Sequence, residues 1–169
     1  MSCLGVLFSL DEKEVEKLKS YDADSERLEY LQHGIEEIYF EKFPDRIAEL
    51  DKSWDGLHRS LTDGKYGFNN GEFPLNHVIL GGEILYNGDD YIMTLKCPKE
   101  VQEIAKAVKN ITKEVMKKGY EQISTDDEDY ADFISEEDFQ YTWDWFSNSI
   151  VFWELAAKEN RYVLFTADQ

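Results

Sequence analysis

The sequence predicts an α+β fold: one compact domain in which several helices, including a long C-terminal aromatic helix, pack on a small mixed or antiparallel sheet. Three observations predict it. Apolar and aromatic residues recur at helical spacing through residues 139–157. Short apolar runs of strand length lie near both ends, at residues 3–10 and 162–166. Between them Asn87-Gly88 separates the apolar segments 83–86 and 91–95, a hairpin pattern with a two-residue turn. The chain has 169 residues, 42% of them hydrophobic, enough for one domain with a core.

The elements follow in order. Residues 3–10 read as a buried strand. Ser9 with Glu12 has the spacing of a capping box, so a helix is expected from Leu10 or Asp11, with only Val15 and Leu18 apolar. Asp24 or Ser25 can cap a second helix whose inner face is Leu28, Leu31, Ile35 and Ile38, ended by Pro44. Residues 50–61 predict a third helix, with Trp54, Leu57 and Leu61 on one side and Thr62-Asp63-Gly64 as its stop. Residues 64–82 are loop-like, holding Asn69-Asn70-Gly71, Pro74 and Gly81-Gly82. Pro98 opens a helix with Val101, Ile104, Ala105 and Val108 inside, and a short helix is expected at 112–118. Residues 125–132 form an acidic loop or frayed helix. Ser135 with Asp138 marks the start of the long helix, about 23 residues and about 35 Å, along which Phe139, Trp143, Phe146, Ile150, Trp153 and Ala157 form the stripe.

The 36 acidic residues outnumber the 18 basic ones, for a formal charge of −18. Such a chain is unsuited to clamping nucleic-acid phosphates or lying on an anionic membrane, and suited to a basic partner. The charge is uneven. Residues 119–157 carry 11 Asp or Glu and no Lys or Arg, whereas residues 96–118 hold 7 Lys against 3 Glu. A solvated face partly compensated by its neighbour is one reading of the acidic segment; a docking surface at Asp126, Asp127, Glu128, Asp129 and Asp132 is the other. The two cysteines, Cys3 and Cys97, make no disulfide framework, and the N-terminus has no basic, then apolar, leader. Ser2 stands where myristoylation requires Gly. A cytoplasmic location is the expectation.

Few residues suggest chemistry. If residues 50–61 are helical, Asp51, Asp55 and His58 share a face, with Trp54 alongside. Carboxylate plus imidazole can serve acid–base work or a metal. The simpler reading is a histidine at the edge of an apolar stripe, satisfied by one hydrogen bond, with Asp55 and Arg59 spaced as a surface ion pair. A calcium loop beginning at Asp127 fails, since its sixth position is Asp132 where Gly is needed. No phosphate-binding glycine motif and no metal-ligand spacing is present, so no cofactor and no metal are expected. Cys97 at a helix start could be activated by the helix dipole, or simply be buried. The tryptophans at helical spacing read first as core.

The run 50–62, Leu-Asp-Lys-Ser-Trp-Asp-Gly-Leu-His-Arg-Ser-Leu-Thr, is similar to the YfbM-like family of bacterial proteins, a domain of unknown function. Pro74-Leu75 leading to Ile79-Leu80-Gly81-Gly82 also fits, as do residues 91–98 with the following helix, the aromatic helix running into Tyr162-Val163-Leu164, and Gly5 in the first strand. The resemblance spans nearly the whole chain. It implies a single-domain α+β fold over residues 1–169 and implies no activity or cofactor. The acidic stretch 126–138 departs from the family pattern.

Two functions follow as expectations. The first is a non-catalytic interaction protein whose acidic segment docks a basic protein, in the manner of an immunity protein neutralising a basic toxin or nuclease. The alternative is a small-molecule-binding protein or hydrolase-type enzyme with a cleft near Trp54, His58 and Gly81-Gly82, in which Asp51 or Asp55 orients His58 as base. A nucleic-acid mimic would require carboxylates spaced like phosphates on one face.

Overall fold

The computed structural model describes residues 3–169, apart from the side chain of Asp129. Five antiparallel strands form one sheet in the order β2-β1-β5-β4-β3. β1 (Gly5–Leu10) and β5 (Tyr162–Asp168), the two ends of the chain, pair in the middle, with Leu7 opposite Phe165 and Phe8 opposite Leu164. β4 (Tyr91–Lys96) pairs on the far side of β5, and all six of its residues are buried.

Helices cover both faces of this sheet, which explains its nearly continuous apolar strands. Because side chains alternate along a strand, Phe8, Leu10, Met93, Leu95 and Leu164 point to one face. There they meet α1 (Glu12–Ser20) through Val15 and Leu18. They also meet a long helical run formed by α2 (Asp24–Glu29), a π-helical stretch (Tyr30–Glu36) and α3 (Glu37–Lys42). Leu7, Ile92, Val163, Phe165 and Ala167 point to the other face. The covering elements there are α4 (Trp54–Leu61), α5 (Pro98–Val108), α6 (Lys113–Glu121) and α8 (Glu136–Lys158). The 23 residues of α8 match the sequence expectation, and Ser135 caps it by accepting from the Asp138 N–H. Phe146 and Trp153 at its centre have no exposure. A short α7 (Glu128–Ala131) lies in the stretch expected to be loop or frayed helix.

Four local expectations are corrected. The capping box of α1 is Asp11 with Glu14, not Ser9 with Glu12, and both reciprocal bonds form. Ser9 is instead a strand residue whose Oγ accepts from Arg161 Nε at 3.1 Å. Along α2–α3, Leu31, Ile35 and Tyr39 are buried while Ile38 is 39% exposed. The π-helical stretch widens the turn, so the inner face falls on every fourth residue rather than alternating three and four.

The predicted helix at 50–61 is really a strand followed by a helix. β2 (Ile47–Asp51) pairs with β1, Asp51 turns the chain with φ of +51°, and α4 starts only at Trp54. Leu50, Trp54, Leu57 and Leu61 all face the same core, which is why the spacing imitates one helix. The hairpin around Asn87-Gly88 exists, but β3 (Glu83–Ile84) meets β4 at Glu83–Leu95 and Ile84–Thr94. The connection is therefore longer than a two-residue turn, and the Asn87 N–H donates to Asp24 Oδ2 at 3.0 Å. No helix among the described residues is long and apolar enough to cross a membrane.

Replacing Phe146 by Ala empties the contact between α8 and the sheet. The expected loss is about 3–5 kcal/mol, whereas Val151→Ala, at a position 71% exposed, stays within about 0.5 kcal/mol. Denaturant unfolding of the two variants compares them directly.

Candidate functional site

The turn from β2 into α4 builds one wall of a cleft of about 650 Å³. Ser53 fastens the turn, its N–H and its hydroxyl both donating to the Leu50 carbonyl. Trp54 then lies against Phe165, with ring centroids 5.7 Å apart, and its Nε1 donates to the Cys3 carbonyl at 2.9 Å. One turn further along α4 lies Arg59, only 3% exposed. Its Nε donates to Asp55 Oδ1 and its Nη2 to Asp127 Oδ2, each at 2.7 Å. The guanidinium stands 4.9 Å from the Tyr130 ring centroid and 5.9 Å from that of Tyr66. A buried cation needs its charge and donors met, and two carboxylates and two ring faces meet them here.

Asp138, in the first turn of α8, forms the opposite wall. Its Oδ2 accepts from the Tyr120 hydroxyl at 2.6 Å and from the Tyr130 hydroxyl at 3.0 Å. Gly56 makes room for this: a Cβ there would lie 2.1 Å from the Tyr130 oxygen. Tyr141 completes the rim by donating to Asp51 Oδ1, and the Lys52 N–H donates to the same carboxylate oxygen at 2.8 Å. Burial pushes the Asp55 carboxyl up, opposed by Arg59 and reinforced by Asp127. Burial and the Asp138 charge push the Tyr130 phenol up, so it stays a hydrogen-bond donor. The Tyr141 phenol is raised to about 12 by burial and by its bond to Asp51.

The structure brings only part of the expected cluster together. Trp54 and Asp55 line the cleft. Asp51, on a strand rather than on the helix, shares no helix face with Asp55 and His58. It also faces a separate hollow of about 280 Å³ with Glu36, Glu49, Trp145 and Asp168. His58 has no exposure, and its Nε2 lies 3.0 Å from Asn70 Oδ1. Its partner is thus an amide of the 63–71 loop and not a carboxylate, a geometry that does not make it a general base. Gly81 and Gly82 lie beside β4. Gly82 has φ of +127°, and a Cβ there would come within 2.4 Å of the Leu95 carbonyl. Both glycines allow a close backbone approach, Gly81 to the Asn76 carbonyl and Gly82 to that of Leu95.

Among the expected docking residues, Asp126, Glu128 and Asp132 are exposed. Asp127 is committed to Arg59, and the side chain of Asp129 lies outside the described residues. Cys97 is half-buried where α5 begins, and its N–H donates to Glu100 Oε1 at 3.0 Å. His33 is exposed beside Glu37, and His77 pairs with Glu100, so the three histidines do not converge. Among the described residues, no group of three or more His, Cys, Asp or Glu side chains could hold a metal ion.

Sequence reasoning missed Arg59, Tyr66, Tyr130, Phe133 and Asp138 as parts of one site. The one available signal was Asp55–Arg59 at helical spacing, read as a surface pair. Its third member lies 68 residues away.

Two outcomes are expected. Burial holds the His58 imidazole below its ordinary 6.5, with Asn70 pulling it back up. Below about pH 6.5 the unfolded chain therefore takes up a proton that the folded chain refuses, and stability falls as pH falls. Asp55 and Glu36, raised by burial, act with the opposite sign, so the comparison must be between variants. Between pH 7 and 5 the wild type should lose more stability than His58→Gln, by up to about 1.4 kcal/mol per pH unit. The second outcome concerns Gly56→Ala, which displaces the Tyr130 hydroxyl. It should cost about 1–3 kcal/mol and raise amide hydrogen exchange across residues 127–134.

No curated protein matches the chain. Among solved structures it is similar to the crystal structure of YfbM from Escherichia coli, a protein of unknown function. The TM-score is 0.63 at 18% identity, covering 97% of this chain and 99% of that one. That likeness is one of fold. The model of a domain of unknown function, DUF1877, matches residues 1–166, and the chain belongs to that family.

Proposed function

We propose that this protein is a non-catalytic binding protein that docks a basic protein partner on its acidic face. The observation that carries the reading is Phe133, 60% exposed, on a segment that also exposes five carboxylates. Asp126, Glu128 and Asp132 precede it, and Glu136 and Glu137 follow at the start of α8. An aromatic anchor surrounded by charge has the composition of an interface: the ring supplies buried area and the carboxylates steer a cationic partner and reject anionic ones. The cleft supports the reading further, because it opens beside this segment and Phe133 is part of its lining. A chain of this size and charge suits an immunity-like partner, with a basic toxin or nuclease as the protein neutralised.

The test uses the immobilised protein and a lysate of the source cell at low and moderate salt, followed by association kinetics with the purified partner. Asp126→Lys, Glu128→Lys and Asp132→Lys together should slow association by about 10–10²-fold, while reversal of exposed acids on α1 should leave it nearly unchanged. Recovery of no partner, or of one indifferent to the triple reversal, overturns the reading.

A further inference from the structure

We propose that the cleft between α4, α7 and α8 is a guanidinium-binding site that takes an arginine side chain of the docked partner. This rests on the docking reading and adds which atoms of the partner enter and where. Five aromatic rings line the cleft, those of Trp54, Tyr66, Tyr130, Phe133 and Tyr141. Ring faces attract a cation and let a planar guanidinium stack. Two of these rings already meet a guanidinium, since that of Arg59 stands over Tyr66 and Tyr130.

The carboxylate available to a second guanidinium is Asp138. Asp55 and Asp127 are bonded to Arg59. Among the described residues the Asp138 carboxylate is held only by uncharged donors, the Tyr120 and Tyr130 hydroxyls on Oδ2. Its Oδ1 has no hydrogen-bond partner among the described residues, and no cation pairs with it there. The two tyrosines fix the carboxylate in one orientation, so little rotamer freedom is lost when a ligand arrives. Lys52 at the rim and Arg59 set two positive charges against three carboxylates, which leaves the lining net negative. Glu128 of α7 and Glu136 and Glu137 at the start of α8, all exposed, add to that sign.

Arginine is favoured over lysine because it combines stacking with a paired hydrogen bond to a carboxylate, and the rings offer nothing specific to a compact ammonium. It is favoured over a neutral aromatic ligand because the cleft contains a carboxylate without a cation.

The experiment titrates the full chain with blocked arginine (N-acetyl-arginine amide), blocked lysine and blocked citrulline, the last a neutral isostere of arginine. Chemical shifts of the Trp54 indole and of residues 130–141 are followed. Blocked arginine should give saturable shifts at these positions, with citrulline at least about tenfold weaker. Asp138→Asn keeps an oxygen for the two tyrosine hydroxyls yet removes the charge, and should weaken arginine binding about tenfold. Phe133→Ala, at an exposed position that threatens no core packing, should weaken it as well. Thermal unfolding of both variants verifies that they are folded.

The triple reversal at Asp126, Glu128 and Asp132 should change binding of this small probe by less than about threefold, although it slows protein docking. Failure of docking alone therefore removes the partner reading, and failure of the probe alone removes the guanidinium site. No saturable shift, equal binding of citrulline, or an Asp138→Asn variant that binds like the wild type each overturns the proposal.

Discussion

The acidic side of the molecule depends on one guanidinium. Arg59 is rooted in α4, which packs into the core beneath the sheet, and its far nitrogen reaches Asp127 in a segment with little core of its own. Tyr130 is the segment's apolar anchor, and its ring covers the same guanidinium. Remove the cation, and two half-buried carboxylates, Asp55 and Asp127, face each other uncompensated. The penalty for leaving a buried charge unpaired exceeds what the pair itself contributes, so the clamp is better described as a requirement than as a source of stability. While it holds, it places Phe133 and the exposed acids around the mouth of a preformed cleft.

The second constraint is the doubly covered sheet. With helices on both faces, nearly every position of the central strands β1, β5 and β4 is buried, and the few polar ones must be satisfied inside. Lys96 is the extreme case: it has no exposure, and its ammonium nitrogen donates to the Ile79 carbonyl at 2.5 Å and to Thr94 Oγ1 at 2.8 Å. Burial pushes it well below the ordinary lysine value. The bonds tie the segment before Gly81-Gly82 to β4, and Gly82 admits the close approach that follows. The conspicuous glycine pair thus belongs to the sheet edge.

Much of the fold was legible in the sequence, wherever one local period ran without interruption. The long helix, its Ser135 cap, the Pro98 helix and the strands at the chain ends satisfy this, because burial on one face imposes that period directly. Residues 50–61 failed for the same reason. A strand and a helix that both face one core reproduced the apolar spacing of a single helix, and nothing local marks the left-handed Asp51 that divides them. The π-helical stretch shifted the inner face from Ile38 to Tyr39, again without a local signal. The candidate site was legible only in its first members, Trp54 and Asp55. His58 carried the most suggestive chemistry and proves to be a buried fastener of the 63–71 loop. Arg59, Asp127, Tyr130 and Asp138 meet only through tertiary structure, and no spacing rule links residues 59 and 127.

The charge of residues 119–157 therefore separates into two layers with different physics. Asp127 and Asp138 form an inner layer, bound by Arg59 and by tyrosine hydroxyls, and they shape the cleft. Asp126, Glu128 and Asp132 form an outer layer, open to solvent. Glu136 lies between the two descriptions, exposed yet paired with Lys117 of the preceding basic stretch at 3.2 Å. Exposed pairs of that kind contribute little to stability and are screened by salt, so the outer layer is not what keeps the segment folded. Its cost is self-repulsion, which a stable core tolerates and an incoming cation relieves. Phe133 at its centre touches the Tyr130 ring on one side, with centroids 6.2 Å apart, and leaves the rest of its ring in water, where an interface would bury it. On the docking reading proposed above, the inner carboxylates position, the outer carboxylates attract and the exposed ring supplies the contact that a partner would cover.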